Sequence, residues 1–374
     1  MRPFHRPWLS LLATALALAF GAASVQARPA PVRHAAAKPA ARAPARGKAA
    51  TPARRTAVVP AAAVVKPARS AAEILRDAPA TAWRSPKPED VLVMNLPAGK
   101  VYIELAPRFA PRHVANIRTL VGQKYYDGLA VLRVQDNFVT QWGDPDADSP
   151  DKARPLGAAA AKLAPEFSIP DSQVRVDHLK DRDVWAPVTG FSDGFAVAVD
   201  PKAHQAWLAH CYGVVGAGRG DTVDSGNGAE LYAVIGQSPR ALDLNITPVG
   251  RVLQGMEFLS GLPRGGPNMG FYEQPSQFVR IDSVRRLADL PLAERPEIRI
   301  FRTDLPVWAE LVDSRRNRQD SWYVHKAGAI DLCNVTVPVQ IVPPAGAAGA
   351  AVPVSATPAA SASAGASAPA AGQN

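Results

Sequence analysis

Cysteine is scarce in this chain of 374 residues: there are two, Cys211 and Cys333, and neither belongs to a Cys-x-x-Cys pair. That spacing removes zinc-ribbon and redox-dithiol chemistry. Acidic residues are missing from residues 1–72, which hold 12 of the 42 Lys and Arg. Charges and aromatics are both missing from residues 343–374, where 14 of 32 positions are Ala. Neither residues 28–69, which have almost no large apolar side chain, nor residues 343–374 can form a core. No apolar stretch comes near the roughly 20 residues that a bilayer-spanning helix needs. His113, His178, His204, His210 and His325 stand at no metal-ligand spacing, so they read as isolated histidines and no metal is expected. Gly216-Ala217-Gly218 begins a dinucleotide-type fingerprint, but Asp221 occupies the third glycine's place and Thr222 to Gly228 reads as loop. A nicotinamide site is therefore excluded.

What is present falls into unequal parts. Residues 1–27 read as an export signal: Arg2, His5 and Arg6 precede the mostly apolar Trp8 to Phe20, and Val25-Gln26-Ala27 offers a small-x-small cleavage site. An uncleaved anchor is the alternative. The mature protein is expected to be exported, in the periplasm. Residues 28–69 form a basic tail with 16 Ala, 7 Pro and 10 Lys or Arg in 42 positions. A Pro-stiffened spacer is the favoured reading, with weak contact to anionic envelope surfaces as the other. Residues 73–374 carry 30 basic against 33 acidic residues, a net charge of −3, which argues against a groove for nucleic acid. In an oxidising compartment Cys211 and Cys333 can pair or remain two buried thiols, and the sequence supplies no distance to choose between these.

Ser70-Ala71-Ala72-Glu73 has capping-box spacing and opens a helical lead-in over 70–89. Val91 to Met94 and Val101 to Leu105 flank Pro97-Ala98-Gly99 and predict a hairpin. Ala110-Pro111 opens a helix with Val114, Ile117 and Val121 on one face. Short β-rich runs follow at 130–134, 138–142, 214–217, 231–235, 249–253 and 278–284, with one more helix at 256–262. Many short strands with two helices predict a mainly β protein, an antiparallel sheet or barrel. Residues 145–212 interrupt this rhythm. Trp185, Phe191, Phe195 and Trp207 predict that this insertion packs as an ordered lid or wall. Residues 289–342 are a C-terminal extension with a helix near 305–318, and 343–374 a flexible tail.

The run Tyr125 to Pro145 carries the most information. Together with Gly99 to Pro107, Ala110-Pro111 through Asn116, Gly228-Ala229-Glu230-Leu231-Tyr232 and Val249-Gly250-Arg251-Val252 followed by Gly255-Met256, it resembles the cyclophilin family of peptidyl-prolyl isomerases. The resemblance places a cyclophilin-like domain at 90–288. It implies a closed eight-stranded antiparallel barrel capped by two helices, no cofactor, and proline-containing segments of exported proteins as partners. It also implies catalytic roles for Arg133, Phe138 and Gln141. Phe138 with Val139, Tyr232 and Leu242 would hold the proline ring, while Gly218, Arg219 and Glu230 would line the rest of the substrate groove. The chemistry is consistent: an amide C–N bond resists rotation by about 18–20 kcal/mol because the nitrogen lone pair is delocalised. A guanidinium aimed at the prolyl nitrogen favours the twisted state, where that pair is localised.

Four positions depart from the family pattern. Leu132, Ala241 and Ile246 stand where it has histidine, tryptophan and histidine, and Glu230 where it has glutamine. A cyclophilin-fold peptide-binding or chaperone module with little isomerase activity is therefore the second expectation. Glu230, facing Arg133, is expected to pair with it and compete with substrate. Cys211 is expected to anchor the insertion's returning end, with Cys333 of the extension as its partner in one reading.

Overall fold

A computed structural model describes residues 68–237 and 239–344. The export signal, nearly all of the basic tail and nearly all of the C-terminal tail lie outside the described residues. Nine antiparallel strands form the main sheet, in the order Val279–Arg280, Ala130–Val134, Val139–Gly143, Leu231–Val234, Val214–Ala217, Pro248–Gln254, Gly99–Leu105, Val91–Leu96 and Ser283–Arg286. The first and last strands of that order are neighbours in the chain, separated by Ile281 and Asp282. Ile281 N–H donates to Leu129 O at 2.8 Å and Asp282 N–H to Asn95 O at 2.9 Å, so one stretch of chain serves both ends of the sheet. The expected count of eight is thus nine, because this stretch changes partners midway.

Alternate strand residues point to opposite faces, and here both faces are covered. Leu92, Met94, Ile103, Val131, Trp142 and Leu231 fill the interior with Val114, Ile117, Leu120 and Val121 of the helix Pro111–Gly122. The helix expected at 256–262 is the short Glu257–Ser260. Val91, Val93, Val139, Tyr232 and Val234 point the other way and are also buried, against Phe191, Ile300, Phe301, Trp308 and Leu311. That second core is shared by Phe191 of the insertion and the C-terminal extension, whose strands Glu297–Phe301 and Val339–Val342 belong to a separate three-stranded sheet. Its third strand is Trp83–Arg84, and the capped helix Ala71–Arg76 packs on Pro306–Arg316, so the lead-in belongs with the extension.

The insertion is ordered. It folds its own antiparallel sheet in the order Ile169–Pro170, Gln205–Leu208, Phe195–Asp200, Val188–Ser192 and Asp177–His178. One side packs Phe195, Val197, Val199 and Leu208 on Ala106 and Phe109; on the other, Ala198 and Trp207 bury Ala186. A disulfide between Cys211 and Cys333, with Cα atoms 4.9 Å apart, ties the insertion's returning end to the extension. Among the described residues no helix is long and apolar enough to cross a membrane.

Candidate functional site

The sheet register shifts between Val131 and Arg133, and this bulge sets Arg133 opposite Gln141 on the neighbouring strand. The guanidinium then meets uncharged acceptors. Its Nη1–H donates to Gln141 Oε1 at 3.0 Å, its Nε–H to Met269 O at 2.7 Å, and an Nη2–H to Gln135 Oε1. Two rings flank it, with the centroids of Phe138 and Phe271 at 5.6 and 5.1 Å from the guanidinium carbon. Phe138 is delivered by the tight turn after Gln135, in which Asn137 adopts the left-handed conformation (φ 51°). Asn tolerates that region better than most residues. Burial draws the Arg133 pKa down from its ordinary value, and the Glu230 charge opposes the shift.

Glu230 does not pair with Arg133, contrary to expectation. Its Oε2 accepts from Gln141 Nε2 at 2.6 Å, so Gln141 stands between the two and relays them. Neither group has an ion-pair partner among the described residues. Burial pushes the Glu230 carboxyl above its ordinary range; Asp148 and Asp144 push the same way, while Gln141 and Arg133 oppose. Gly218 lies alongside: a Cβ there would sit 3.2 Å from Glu230 Cβ and 3.4 Å from Gln141 Nε2. Arg219 is turned to its own loop, donating to the carbonyls of Asn245 at 3.0 Å and Gly220 at 2.8 Å.

Three of the remaining expected residues share one face. Val139 and Tyr232 are buried and Phe138 half-buried in one apolar cluster. Leu242 is half-buried at the end of the 3-10 turn Arg240–Leu242. Tyr232 stands opposite Gln141 in the sheet, and its hydroxyl lies 2.9 Å from Nε2 of His210, which the insertion supplies. His210 Nδ1–H donates to Asp243 at 2.9 Å, and Trp207 Nε1–H donates to the same carboxylate at 3.0 Å. The insertion thus brings a tryptophan and a histidine to Asp243, in the turn between Ala241 and Ile246. Burial alone would raise the Asp243 pKa, but the His210 hydrogen bond and the Arg240 charge outweigh it and hold the carboxyl below its ordinary range.

Sequence reasoning did not find Met269 and Phe271. They sit in a Gly- and Pro-rich loop whose Gly270 (φ 78°) approaches Gln135 so closely that a Cβ would lie 2.5 Å from its Cα. Sequence reasoning also passed over a motif that the structure dissolves. Gly190-Phe191-Ser192-Asp193-Gly194 has nucleophile-elbow spacing, yet Asp193 and Gly194 (φ 50° and 83°) close a hairpin between two strands, and no helix follows.

Residues 91–286 match the family model described as cyclophilin type peptidyl-prolyl cis-trans isomerase/CLD. The chain belongs to this cyclophilin family. Probable peptidyl-prolyl cis-trans isomerases of Brucella suis and Brucella melitensis are each 27% identical to it over 194 residues, 52% of this chain and 82% of theirs. The crystal structure of cyclophilin AquaCyp293 from Hirschia baltica is also similar, with a TM-score of 0.55 and 27% identity. It covers 70% of this cyclophilin and 94% of its own chain. The structural likeness thus reaches further along the chain than the alignment with the Brucella proteins.

Proposed function

We propose that this cyclophilin accelerates rotation about X–Pro bonds in exported polypeptides, with Arg133 as the group that meets the prolyl nitrogen. The observation that carries this reading is the state of Arg133. It is held in place by three hydrogen bonds to neutral acceptors and by two rings, with no carboxylate paired to it among the described residues. A guanidinium has five N–H donors, so two remain for a ligand. In the planar ground state the prolyl nitrogen accepts hydrogen bonds poorly; in the twisted state it accepts well, and a fixed donor there lowers the barrier selectively. Gln141 orients Arg133 and in turn is oriented by Glu230. Phe138, Val139, Tyr232 and Leu242 would hold the ring while the flanking chain turns.

The disulfide between Cys211 and Cys333 supports an oxidising compartment. A peptide-binding module with little turnover is the second reading, favoured by the depth of Val139 and Tyr232, at 2% and 3% exposure. A protease-coupled assay on a short X–Pro peptide separates the two: acceleration at catalytic enzyme concentration supports the isomerase, and binding without acceleration supports the module. For export, the mature protein recovered from a periplasmic fraction should begin at residue 28, and a cytoplasmic full-length chain would overturn that part.

A further inference from the structure

Glu230 brings to the groove more than its part in orienting Gln141 requires. That part takes only an acceptor, which a neutral amide supplies as well, yet the residue here is a carboxylate. The Gln141 amide is held with a fixed polarity: its Oε1 accepts from Arg133 at 3.0 Å, and its Nε2–H donates to Glu230 Oε2 at 2.6 Å. A cation and an anion therefore stand at the two ends of one side chain without touching.

The other carboxylate oxygen is open. Glu230 Oε1 has no hydrogen-bond partner among the described residues, and the sealed side-chain atoms that lack one there are Arg84 Nε, Arg118 Nε and Thr189 Oγ1. Glu230 Oε1 therefore reaches solvent. Two glycines leave it room: a Cβ at Gly143 would sit 2.6 Å from Glu230 Cγ, and one at Gly218 would sit 3.4 Å from Glu230 Oε2. A larger side chain at either position would crowd the carboxylate. The neighbouring charges supply no counterion. Asp144 and Asp148 act on Glu230 with the same sign, and Arg154, whose backbone N–H is on Asp144, spends its Nη1 on the carbonyls of Tyr125 and Asp127.

An anion in a half-dry site, with one oxygen open and acidic neighbours, is matched best by a cationic donor. Charge-assisted hydrogen bonds are roughly twice as strong as neutral ones, and a peptide N–H would leave the charge uncancelled. The distances also limit where that cation lies on the substrate. From Arg133 through the Gln141 amide to Glu230 the path is about 8 Å at most, or about two residues of extended chain.

We propose that Glu230 is a specificity-determining residue whose open Oε1 binds the ammonium or guanidinium of a Lys or Arg within two residues of the substrate proline. The inference rests on the isomerase reading and names its substrate class: X–Pro segments with an adjacent basic side chain.

The test uses the full chain and short X–Pro peptides that differ at one position, moved in turn over the two residues on either side of the proline. Lys, norleucine or Glu stands at that position. In the wild type, kcat/KM for Lys should exceed that for norleucine about tenfold at one of these positions, the effect of one charge-assisted hydrogen bond, with Glu the poorest. Glu230→Gln keeps the shape and an acceptor for Gln141. It should bring the Lys-to-norleucine ratio to about one without slowing the norleucine peptide. No preference for Lys at any of the positions overturns the proposal. A variant that slows every peptide alike overturns it too, since that marks a contact with the peptide backbone. Asp148 is an exposed neighbour, and Asp148→Asn should keep most of the preference. Its full loss there would assign the effect to the general field of that loop and overturn the role of Glu230. If the wild type accelerates no peptide, the isomerase reading falls, and the affinities of the same peptides decide the carboxylate site. About tenfold tighter binding of the Lys peptide, abolished in Glu230→Gln, supports it, and equal binding overturns it.

Discussion

Arg133 and Arg240 lie at the two ends of one line of contacts on the outer face of the main sheet, and their surroundings are opposite. Arg240 is enclosed by two carboxylates, Asp183 and Asp243, and almost removed from solvent. Those anions outweigh the penalty of burial and raise its pKa above the ordinary value. Arg133 is surrounded by amide and carbonyl oxygens and two aromatic rings, and burial lowers its pKa. The difference separates two uses of one residue type. Where the charge is cancelled, arginine fixes geometry; where it is positioned but left uncancelled, it can act on a group that becomes an acceptor only in the transition state.

The largest expected effect breaks the Arg240 side of this contrast. Arg240→Ala leaves two buried carboxylates without their cation, and removing one partner of a buried pair costs about 3–5 kcal/mol. The melting temperature should fall on the order of 10 °C. A drop of only a degree or two would mean that the latch is dispensable. Breaking the Arg133 side should do the reverse. Arg133→Ala should lower kcat/KM on a short X–Pro peptide by about 100-fold to 1000-fold, comparable with losing one preorganised transition-state donor, while the melting temperature moves by a few degrees at most. Arg133→Lys should rescue little, because a point charge does not reproduce a planar fork held against Gln141, Gln135 and Met269. Full turnover in a folded Arg133→Ala protein would remove the arginine from the mechanism.

A third change tests the link between the two regions. Tyr232→Phe removes the hydroxyl from His210 Nε2 in a site where His210 is 0% exposed. Leaving a buried polar atom without a partner costs about 1–3 kcal/mol, so denaturant unfolding should shift to lower concentration. Phe keeps the ring in the same apolar cluster, so peptide turnover should survive. If stability holds and turnover falls, the hydroxyl belongs to the groove rather than to the latch.

How far these regions could be read in advance depended on how local their contacts are. Arg133, Phe138 and Gln141 lie within nine residues of one another on two strands joined by a tight turn, so the resemblance carried by that one run implies them together. Val91-Leu92-Val93-Met94 is apolar at every position, a pattern of strands buried on both faces. The hairpin expectation makes no use of that pattern, so it does not anticipate the cover over the outer face. The cover depends on distant pairings: Trp83–Arg84 with Glu297–Phe301, and Cys211 with Cys333 at a separation of 122 residues. The latch joins Asp183 to Arg240 across 57 residues, and nothing in either segment encodes the other. Met269 and Phe271 escaped for a different reason. A Gly- and Pro-rich loop has no periodicity from which to predict where its side chains go.

The smallest expected effect sharpens the contrast at Glu230, a deep carboxylate that, unlike Asp183 and Asp243, has no cation partner among the described residues. Its folded pKa is raised, by burial first and then by Asp148 and Asp144. The fold therefore favours the protonated form. The stability this contributes is full below the ordinary carboxyl pKa of about 4.3 and is lost as pH rises through the higher folded value. At neutral pH the ionised group lowers stability, and Glu230→Gln should raise the melting temperature. The advantage should vanish near pH 4. A glutamine carbonyl can still accept from Gln141, so the relay to Arg133 survives while the anion is removed. Since a partly screened charge interaction is worth about 0.5–1 kcal/mol, kcat/KM should rise about threefold. A stability gain that persists at pH 4 would assign it to packing, and no gain at pH 7 would mean that water already solvates the carboxylate.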